Sequence, residues 1–267
     1  MSIRHYNPRR NRRGGISSRA KSFLSLLLAL TILLQISYPL VNGEVLRLVT
    51  IATVYFGAAA MSLHSLFAYG VRYASTYMAL TLVFALSIEQ IGMRTGWPFG
   101  SYVYDASLGY QIFGVPLVVP FAWLMIAHPV LIVARRITQN WTFLYGGILM
   151  MAWDFFLDPQ MVTAQRWSWT FTGAHVPFES DIPMSNAFGW LFAGMGLIAL
   201  LHICLPRERR KASANFSAVD VFLAWTLFAG IVGNIFFFHR PGVALLGGSI
   251  FGAALAPYVF SRWLGRP

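Results

Sequence analysis

Three carboxylic acids in this 267-residue sequence stand where apolar segments end, and their spacing fits proton transfer. Asp154 and Asp158 lie four residues apart in WDFFLDP and therefore share one face while the helix lasts. Pro159 predicts that Asp158 ends this helix, and Glu89 ends another apolar segment. Because low polarity and a like-charged neighbour both oppose ionisation, we expect at least one aspartate to keep its proton. The pair predicts a proton donor for a lipophilic substrate; a structural pair bonded to loop arginines or backbone fits the residues equally well.

Aromatic residues crowd the same parts of the sequence as the acids. A membrane-interface belt accounts for many of them singly, yet Tyr104 precedes Asp105 and Trp153 precedes Asp154. Aromatic faces attract a desolvated cation by about 2 kcal/mol, so acids with aromatics favour a reaction that passes through a carbocation. The aromatic set is Trp97, Phe99, Tyr102, Tyr104, Trp153, Trp167, Trp169, Phe171 and Trp190.

The elements that must position these residues are membrane-spanning helices. Hydrophobic residues make up 57% of the chain and charged residues only 11%, which excludes a soluble globular enzyme and a disordered chain. The apolar runs are long enough to cross a bilayer, and they predict an all-α transmembrane bundle of about eight spans. These are Phe23–Val41, Val45–Tyr69, Tyr73–Ile91, Phe113–Ala134, Trp141–Leu157, Ala187–Leu205, Val219–Phe238 and Val243–Phe260.

The charge distribution predicts how the bundle is oriented. With eight spans, sixteen of the 20 Lys and Arg residues fall on the side of both termini and four on the other side, so we expect both termini in the cytoplasm. The predicted divisions are a disordered basic arm over 1–22, one transmembrane domain over 23–262 with outer loops 92–112 and 158–186, and a tail over 263–267. A multi-pass protein of the plasma membrane is expected.

Several classes of protein lack support in the sequence. The single Cys204 excludes a disulfide framework, the six histidines show no paired short spacing, and no phosphate-binding or dinucleotide motif is present. We therefore expect no metal and no cofactor. The basic arm fits anionic lipid rather than nucleic acid. A proton-coupled transporter, a non-catalytic scaffold of pigment enzymes, and an enzyme that isomerises a polyene or modifies a prenyl chain remain alternatives to hydration.

Five stretches between Gly92 and Trp190 together resemble the integral-membrane carotenoid hydratases of the carotenoid biosynthesis protein family, which includes carotenoid 1,2-hydratase and bisanhydrobacterioruberin hydratase. The basic arm and HVPFESD (His175–Asp181) have no counterpart in that pattern. The matching stretches are GMRTGWPFGSYVYD (Gly92–Asp105), GVPLVVPFAW (Gly114–Trp123), WDFFLDPQMV (Trp153–Val162), RWSW (Arg166–Trp169) and IPMSNAFGW (Ile182–Trp190).

The resemblance implies that water is added, without a cofactor, to the terminal double bond of an acyclic C40 or C50 carotenoid. The expected partners are this lipophilic substrate, water, the bilayer and other carotenoid-synthesis enzymes. Position and chemistry make Asp154 or Asp158 the general acid, assisted by the other aspartate or Glu89, with Asp105 as a second choice. The expected substrate-binding residues are Tyr102, Tyr104, Trp153, Trp167, Trp190, Arg94 and Asn186.

Overall fold

The computed structural model is built from eight long helices in the part of the chain that it describes, residues 16–208, 210–211, 214 and 216–265. Most of the predicted basic arm, residues 1–15, lies outside the described residues, and so do the last two residues of the predicted tail. The helices are α1 (Ser18–Ser37), α2 (Gly43–Tyr69), α3 (Val71–Thr95), α4 (Val118–Ile137), α5 (Thr142–Thr163), α6 (Met184–Cys204), α7 (Ser217–Val232, continued by a π-helical turn Gly233–Phe237) and α8 (Pro241–Trp263).

Short antiparallel strand pairs fold the long connections back onto the bundle. The connection after α3 pairs with the connection after α5, so that Tyr102 lies opposite Trp169 and Tyr104 opposite Trp167. The other two pairs are hairpins within single connections. The strands are β1 (Tyr102–Tyr104) with β4 (Trp167–Trp169), β2 (Gln111–Ile112) with β3 (Val115–Pro116), and β5 (His175–Val176) with β6 (Glu179–Pro183).

All eight helices traverse the bundle, because their connections meet alternately at two ends. At the strand end, β1 pairs with β4 and Arg240, between α7 and α8, forms an ion pair with Glu179. At the opposite, basic end, the Lys211 amide donates to the Ala68 carbonyl oxygen, and Arg136 donates to the backbone of Ser261. The all-α fold with about eight spans is therefore confirmed, and the chain is an integral membrane protein.

Helix α5 differs from the other seven in composition. Those seven are long and apolar enough to cross a membrane, whereas Asp154 and Asp158 lower the mean hydropathy of α5. Helix α5 packs against α4, α6 and α8, and both aspartates are buried. A helix that carries two carboxyl groups thus lies inside the bundle, where other helices supply the polar partners that lipid cannot.

The sequence prediction that Asp158 ends its helix is wrong. Helix α5 continues through Pro159 to Thr163, so the connection on this side runs over 164–183 rather than 158–186. The preceding connection likewise runs over 96–117 rather than 92–112, because α3 extends to Thr95. Proline removes one helical hydrogen bond, but neighbouring helices and the strand pair hold this turn in place. Asp154 and Asp158 therefore keep a common helical face.

Helices α5 and α6 share the most extensive helix contact among the described residues, and a glycine in it allows a steric test. A Cβ atom at Gly147 would lie 2.5 Å from Met195 Cγ and 2.7 Å from the Leu191 carbonyl oxygen. Because that backbone atom cannot rotate away, Gly147→Ala is expected to lower the free energy of unfolding by about 1–3 kcal/mol. Thermal unfolding in detergent measures the change.

Gly252→Ala is the matched control, since the nearest atoms to its Cβ would be the Leu227 methyl groups at 3.9 Å. It is expected to leave the melting temperature unchanged or slightly higher. Equal destabilisation by the two substitutions would contradict the close α5–α6 packing.

Candidate active site

The two aspartates of α5 are held together by one amide from α6. Asn186 Nδ2 donates to Asp154 Oδ2 at 3.1 Å and also to Asp158 Oδ2. All three side chains are at most 3% exposed. Helical spacing sets the two carboxyl groups on one face of α5, and Asn186 in the first turn of α6 faces them across the α5–α6 interface.

The two carboxyl groups differ in their remaining partners. Asp158 Oδ1 accepts a hydrogen bond from Trp167 Nε1 at 3.2 Å, so both of its oxygen atoms accept from N–H donors. Asp154 Oδ1 is buried and has no hydrogen-bond partner among the described residues. Donors on both oxygens stabilise the ionised form of a carboxyl group, whereas a free buried oxygen is the place where a proton can be carried.

Glu89 is the third buried acid, and three aromatic side chains donate to it. Its Oε2 accepts from the Tyr102 hydroxyl at 2.5 Å and the Tyr104 hydroxyl at 2.8 Å. Its Oε1 accepts from Trp123 Nε1 at 2.9 Å. Hydrogen bonds donated by three side chains to one buried carboxyl group stabilise its ionised form.

The β1–β4 pair explains how two distant loops bring aromatic rings to the acids. Alternate residues of a strand point to opposite faces, so Tyr102 and Tyr104 turn to the bundle together while Val103 is 63% exposed. The opposing Trp167 and Trp169 do the same, and the Tyr104 and Trp167 ring centroids lie 5.7 Å apart. Tyr104 and Trp167 thereby connect Glu89 to Asp158 through two hydrogen bonds and one ring contact.

Gly92 of α3 provides the space in which Tyr102 approaches Glu89. A Cβ atom at this position would lie 2.8 Å from the Tyr102 hydroxyl oxygen and 3.0 Å from the Phe99 ring. Glycine is thus required here by the close approach of Tyr102 and Phe99.

A stack of indoles lies beside Glu89. Trp123 and Trp190 are parallel with ring centroids 4.4 Å apart, and Trp153 meets Trp190 edge-on at 5.6 Å. All three are buried. Parallel and edge-on contacts are the favoured geometries of aromatic pairs, and the indole faces form an electron-rich wall next to the buried carboxyl groups.

Two of the predicted site residues lie away from the buried acids. Asp105 is exposed and caps the turn Ala106–Leu108 by accepting from the Ser107 amide at 2.8 Å. Hydrogen bonds from Ser107 hold the pKa of the Asp105 carboxyl below its ordinary value. Arg94 is exposed in the last turn of α3. The other nine predicted site residues come together, namely Glu89, Tyr102, Tyr104, Trp153, Asp154, Asp158, Trp167, Asn186 and Trp190.

Sequence reasoning missed Trp123, which donates to Glu89 and is fully buried. Trp123 lies within the unbroken apolar run Val118–Ala127 of α4, so no change in hydropathy marks this position. The only signal was its place at the end of GVPLVVPFAW, one of the stretches that carry the family resemblance.

Two cavities flank α5 on different faces. An apolar groove of about 320 Å³ is lined by Trp153, Phe156 and Leu157 of α5 together with residues of α1, α2 and α7. A small cavity on the neighbouring face is lined by Asp154, Asp158 and Asn186. Among the described residues, no group of three His, Cys, Asp or Glu side chains is arranged to hold a metal ion.

This helical membrane fold, with its buried acids between aromatic loops, belongs to a known family. The model of the carotenoid biosynthesis protein family matches residues 49–253, which is most of the chain, so the chain belongs to that family. The resemblance read from the sequence is confirmed.

One curated relative is the bisanhydrobacterioruberin hydratase of Haloarcula japonica. It is 29% identical over 170 residues, which cover 60% of this chain and 55% of the relative. The chain thus spans about half the length of the curated relative that it matches. No solved structure matches the chain.

The buried tyrosines predict how stability depends on pH. Burial and then the adjacent Glu89 raise the pKa of the Tyr104 hydroxyl well above its ordinary value, and the same causes raise that of Tyr102. Tyrosines of the unfolded chain ionise near pH 10. The contribution of the two neutral hydroxyls to the free energy of unfolding is therefore complete below about pH 10. It declines as the pH rises further, because the unfolded chain then ionises while the folded chain does not.

Tyr104→Phe is expected to flatten this alkaline decline, because it removes one hydroxyl that only the unfolded chain ionises. Unfolding in detergent between about pH 8 and pH 11 measures it. Phe99→Leu is the control: it removes a neighbouring ring without an ionisable group and should lower stability equally at each pH. If the free energy of unfolding of Tyr104→Phe fell with rising pH as steeply as that of the wild-type protein, Tyr104 would not be a source of the alkaline decline.

Proposed function

We propose that the chain is a cofactor-independent hydratase that adds water to the terminal carbon–carbon double bond of an acyclic carotenoid, giving a tertiary alcohol. Its family membership and its similarity to a bisanhydrobacterioruberin hydratase support the substrate class. The observation that carries the proposal is the buried aspartate pair, in which Asp158 accepts on both oxygens while Asp154 has one free oxygen.

The reaction begins with the proton on Asp154. Two carboxyl groups that share one amide donor do not both ionise in an apolar setting, so the pair carries one proton. Asp158 is the better anion because it has two N–H donors. Asp154 then delivers its proton from Oδ1 to the less substituted alkene carbon; the π electrons form the new C–H bond and leave a tertiary cation.

The indoles and Glu89 stabilise this cation. A cation over an aromatic face gains about 2 kcal/mol when it is desolvated. Trp153 lines the groove and meets Trp190 edge-on, and Trp190 in turn stacks on Trp123. Glu89, fixed by three donors, contributes a negative charge that needs no reorganisation as the cation forms. Tyr104 lies between the two acidic centres.

Asp158 completes the cycle. Water attacks the tertiary carbon and forms the C–O bond, and Asp158 takes the proton that the water oxygen loses. The pair then again holds one proton, now on Asp158, and its transfer to Asp154 restores the starting state. Asn186 keeps the two carboxyl groups together for this exchange. No electrons leave the system, so the reaction needs no oxidant or reductant.

The apolar groove supplies the route for the polyene. Its lining is dominated by apolar and aromatic side chains, and it reaches α5 at Trp153, the residue that precedes Asp154 in the chain. A carotenoid dissolved in the bilayer core can enter such a groove sideways and bring one end toward the aspartates. We place the protein in the plasma membrane, with the strand end outside and other carotenoid-synthesis enzymes as neighbours that pass on the substrate.

The direct test is product analysis in a host that makes an acyclic carotenoid, with and without this protein. Hydration predicts a product heavier by one water per modified end, with the oxygen taken from isotopically labelled water. An unchanged carotenoid profile with both a C40 and a C50 precursor, when the protein is verified in the membrane, would refute the proposal. A product of unchanged mass would indicate isomerisation instead.

Asp154→Asn removes the transferable proton while it keeps the shape of the side chain. We expect alcohol formation to fall about 10²–10⁴-fold, the usual contribution of a positioned acid. Asp158→Asn should have a comparable effect, since it removes the acceptor for the water proton. Chromatography of carotenoids at equal protein level measures both.

Asp105→Asn is the matched control, because Asp105 caps an exposed turn and touches none of the buried acids. It should retain full activity. A fully active Asp154→Asn variant would exclude Asp154 as the acid.

A further inference from the structure

The small cavity beside the aspartates is closely matched to one water molecule. Its volume is about 10 Å³, which is about the least that a single water molecule needs. Two aspartates, Asn186 and Glu179 give it polar groups, and the rest of its wall is apolar, with Val176, Ile182 and Val243. Asp154, whose Oδ1 has no partner among the described residues, lines it and is 1% exposed.

A second, larger cavity lies at the strand end, next to the small one. It has a volume of about 480 Å³ and is lined by Phe178, His239 and Arg240, and it shares Glu179 and Val243 with the small cavity. Arg240 forms an ion pair with Glu179 and also donates to Thr163 Oγ1 at 2.8 Å. The two shared residues therefore mark the boundary between an outer polar cavity and the buried aspartates.

The segment that did not fit the family pattern builds much of this boundary. His175–Asp181 forms β5, the turn and the start of β6, and its Val176, Pro177 and Glu179 line the small cavity. Val176 and Ile182 pack with Phe155 of α5 in a small apolar cluster. The hairpin thus covers the face of α5 that neighbours the groove in which the polyene is proposed to lie.

We propose that the small cavity holds the nucleophilic water, that water enters it from the outer cavity past Glu179 and Val243, and that its size restricts the nucleophile to water. The inference rests on the proposed function. It assigns separate approaches to the two reactants: the polyene comes from the apolar groove on one face of α5, and water comes from the strand end on the other face.

The proposal makes a chemical prediction about a slightly larger nucleophile. Methanol attacks a tertiary cation through its oxygen as water does, forms a C–O bond, and gives its hydroxyl proton to Asp158. The product is a tertiary methyl ether, heavier than the substrate by one methanol, and no redox step is needed. The wild-type cavity excludes methanol, whereas a cavity with two methyl groups removed admits it.

Val243→Ala enlarges the small cavity at its boundary with the outer cavity. In membranes supplied with an acyclic carotenoid in water containing methanol, wild-type protein should form the alcohol, and Val243→Ala should form the alcohol and the methyl ether. Because one methylene in a pocket changes selectivity by about 10–200-fold, we expect the ether-to-alcohol ratio to rise at least about tenfold. Val219→Ala, a buried valine of α7 outside both cavities, is the control and should match wild type.

A filling variant tests the same site from the opposite direction. Val243→Leu adds one carbon at the boundary between the two cavities and should lower kcat for hydration about tenfold. KM for the carotenoid should stay constant, because the polyene is proposed to bind in the apolar groove and not at Val243. Val219→Leu controls for overpacking of a buried valine. If Val243→Ala proves unstable, Val176→Ala enlarges the same cavity from the hairpin.

The outcomes separate the inference from the proposed function. Alcohol from wild type with ether from Val243→Ala supports both. Alcohol from both proteins without any ether, or ether from wild type in the same proportion, overturns the water site and leaves the hydratase function intact. No alcohol from wild type overturns the proposed function and this inference with it.

Discussion

A single amide group, that of Asn186, lies between two carboxyl groups in the interior of the bundle, and much of the surrounding architecture follows from it. Burying a carboxyl group away from water costs free energy unless hydrogen-bond donors of the protein reach its oxygen atoms. Here the donors come from α6, through Asn186, and from β4, through Trp167. To deliver that indole, the connection after α5 must fold back onto the helix ends, and its pairing with β1 in turn delivers the tyrosines to Glu89. The acids and the folded loops are thus mutually dependent.

Helix α5 separates two environments that a reaction between a hydrocarbon and water has to keep apart. On one face, Trp153 and its neighbours line an apolar groove. On the adjacent face, Asp154 and Asp158 meet a small polar-lined cavity. A proposed carbocation is exposed to water only where a base is ready to accept the proton, because excluding other nucleophiles prevents side reactions. The same helix that is too polar to resemble an ordinary membrane span is therefore the one on which the chemistry is proposed to occur.

The sequence predicted the helical bundle because long apolar runs determine transmembrane helices almost by themselves. Asp154, Asp158 and Glu89 were also identifiable, since buried acids are rare in such helices. The helix end at Asp158 was mispredicted because proline disfavours a helix only locally, whereas the packing of α5 against three helices decides the outcome. The β1–β4 pair and the role of Trp123 depend on contacts between distant segments. YVY and WSW did alternate as strands do, but two three-residue runs carry too little pattern to predict their pairing.

The pairing of β1 with β4 also has a consequence for biosynthesis. The two strands are separated in the chain by the whole of α4 and α5, and contacts of such sequence separation form only after the intervening segments are in place. The helical hairpin must therefore cross the membrane and return before Tyr104 can meet Trp167, and α6 must follow before Asn186 reaches the aspartates. Until then Asp154 and Asp158 lack the N–H donors of Trp167 and Asn186. The acid pair on which the proposed chemistry depends is therefore complete only once synthesis has passed α6, although the pair itself lies in α5.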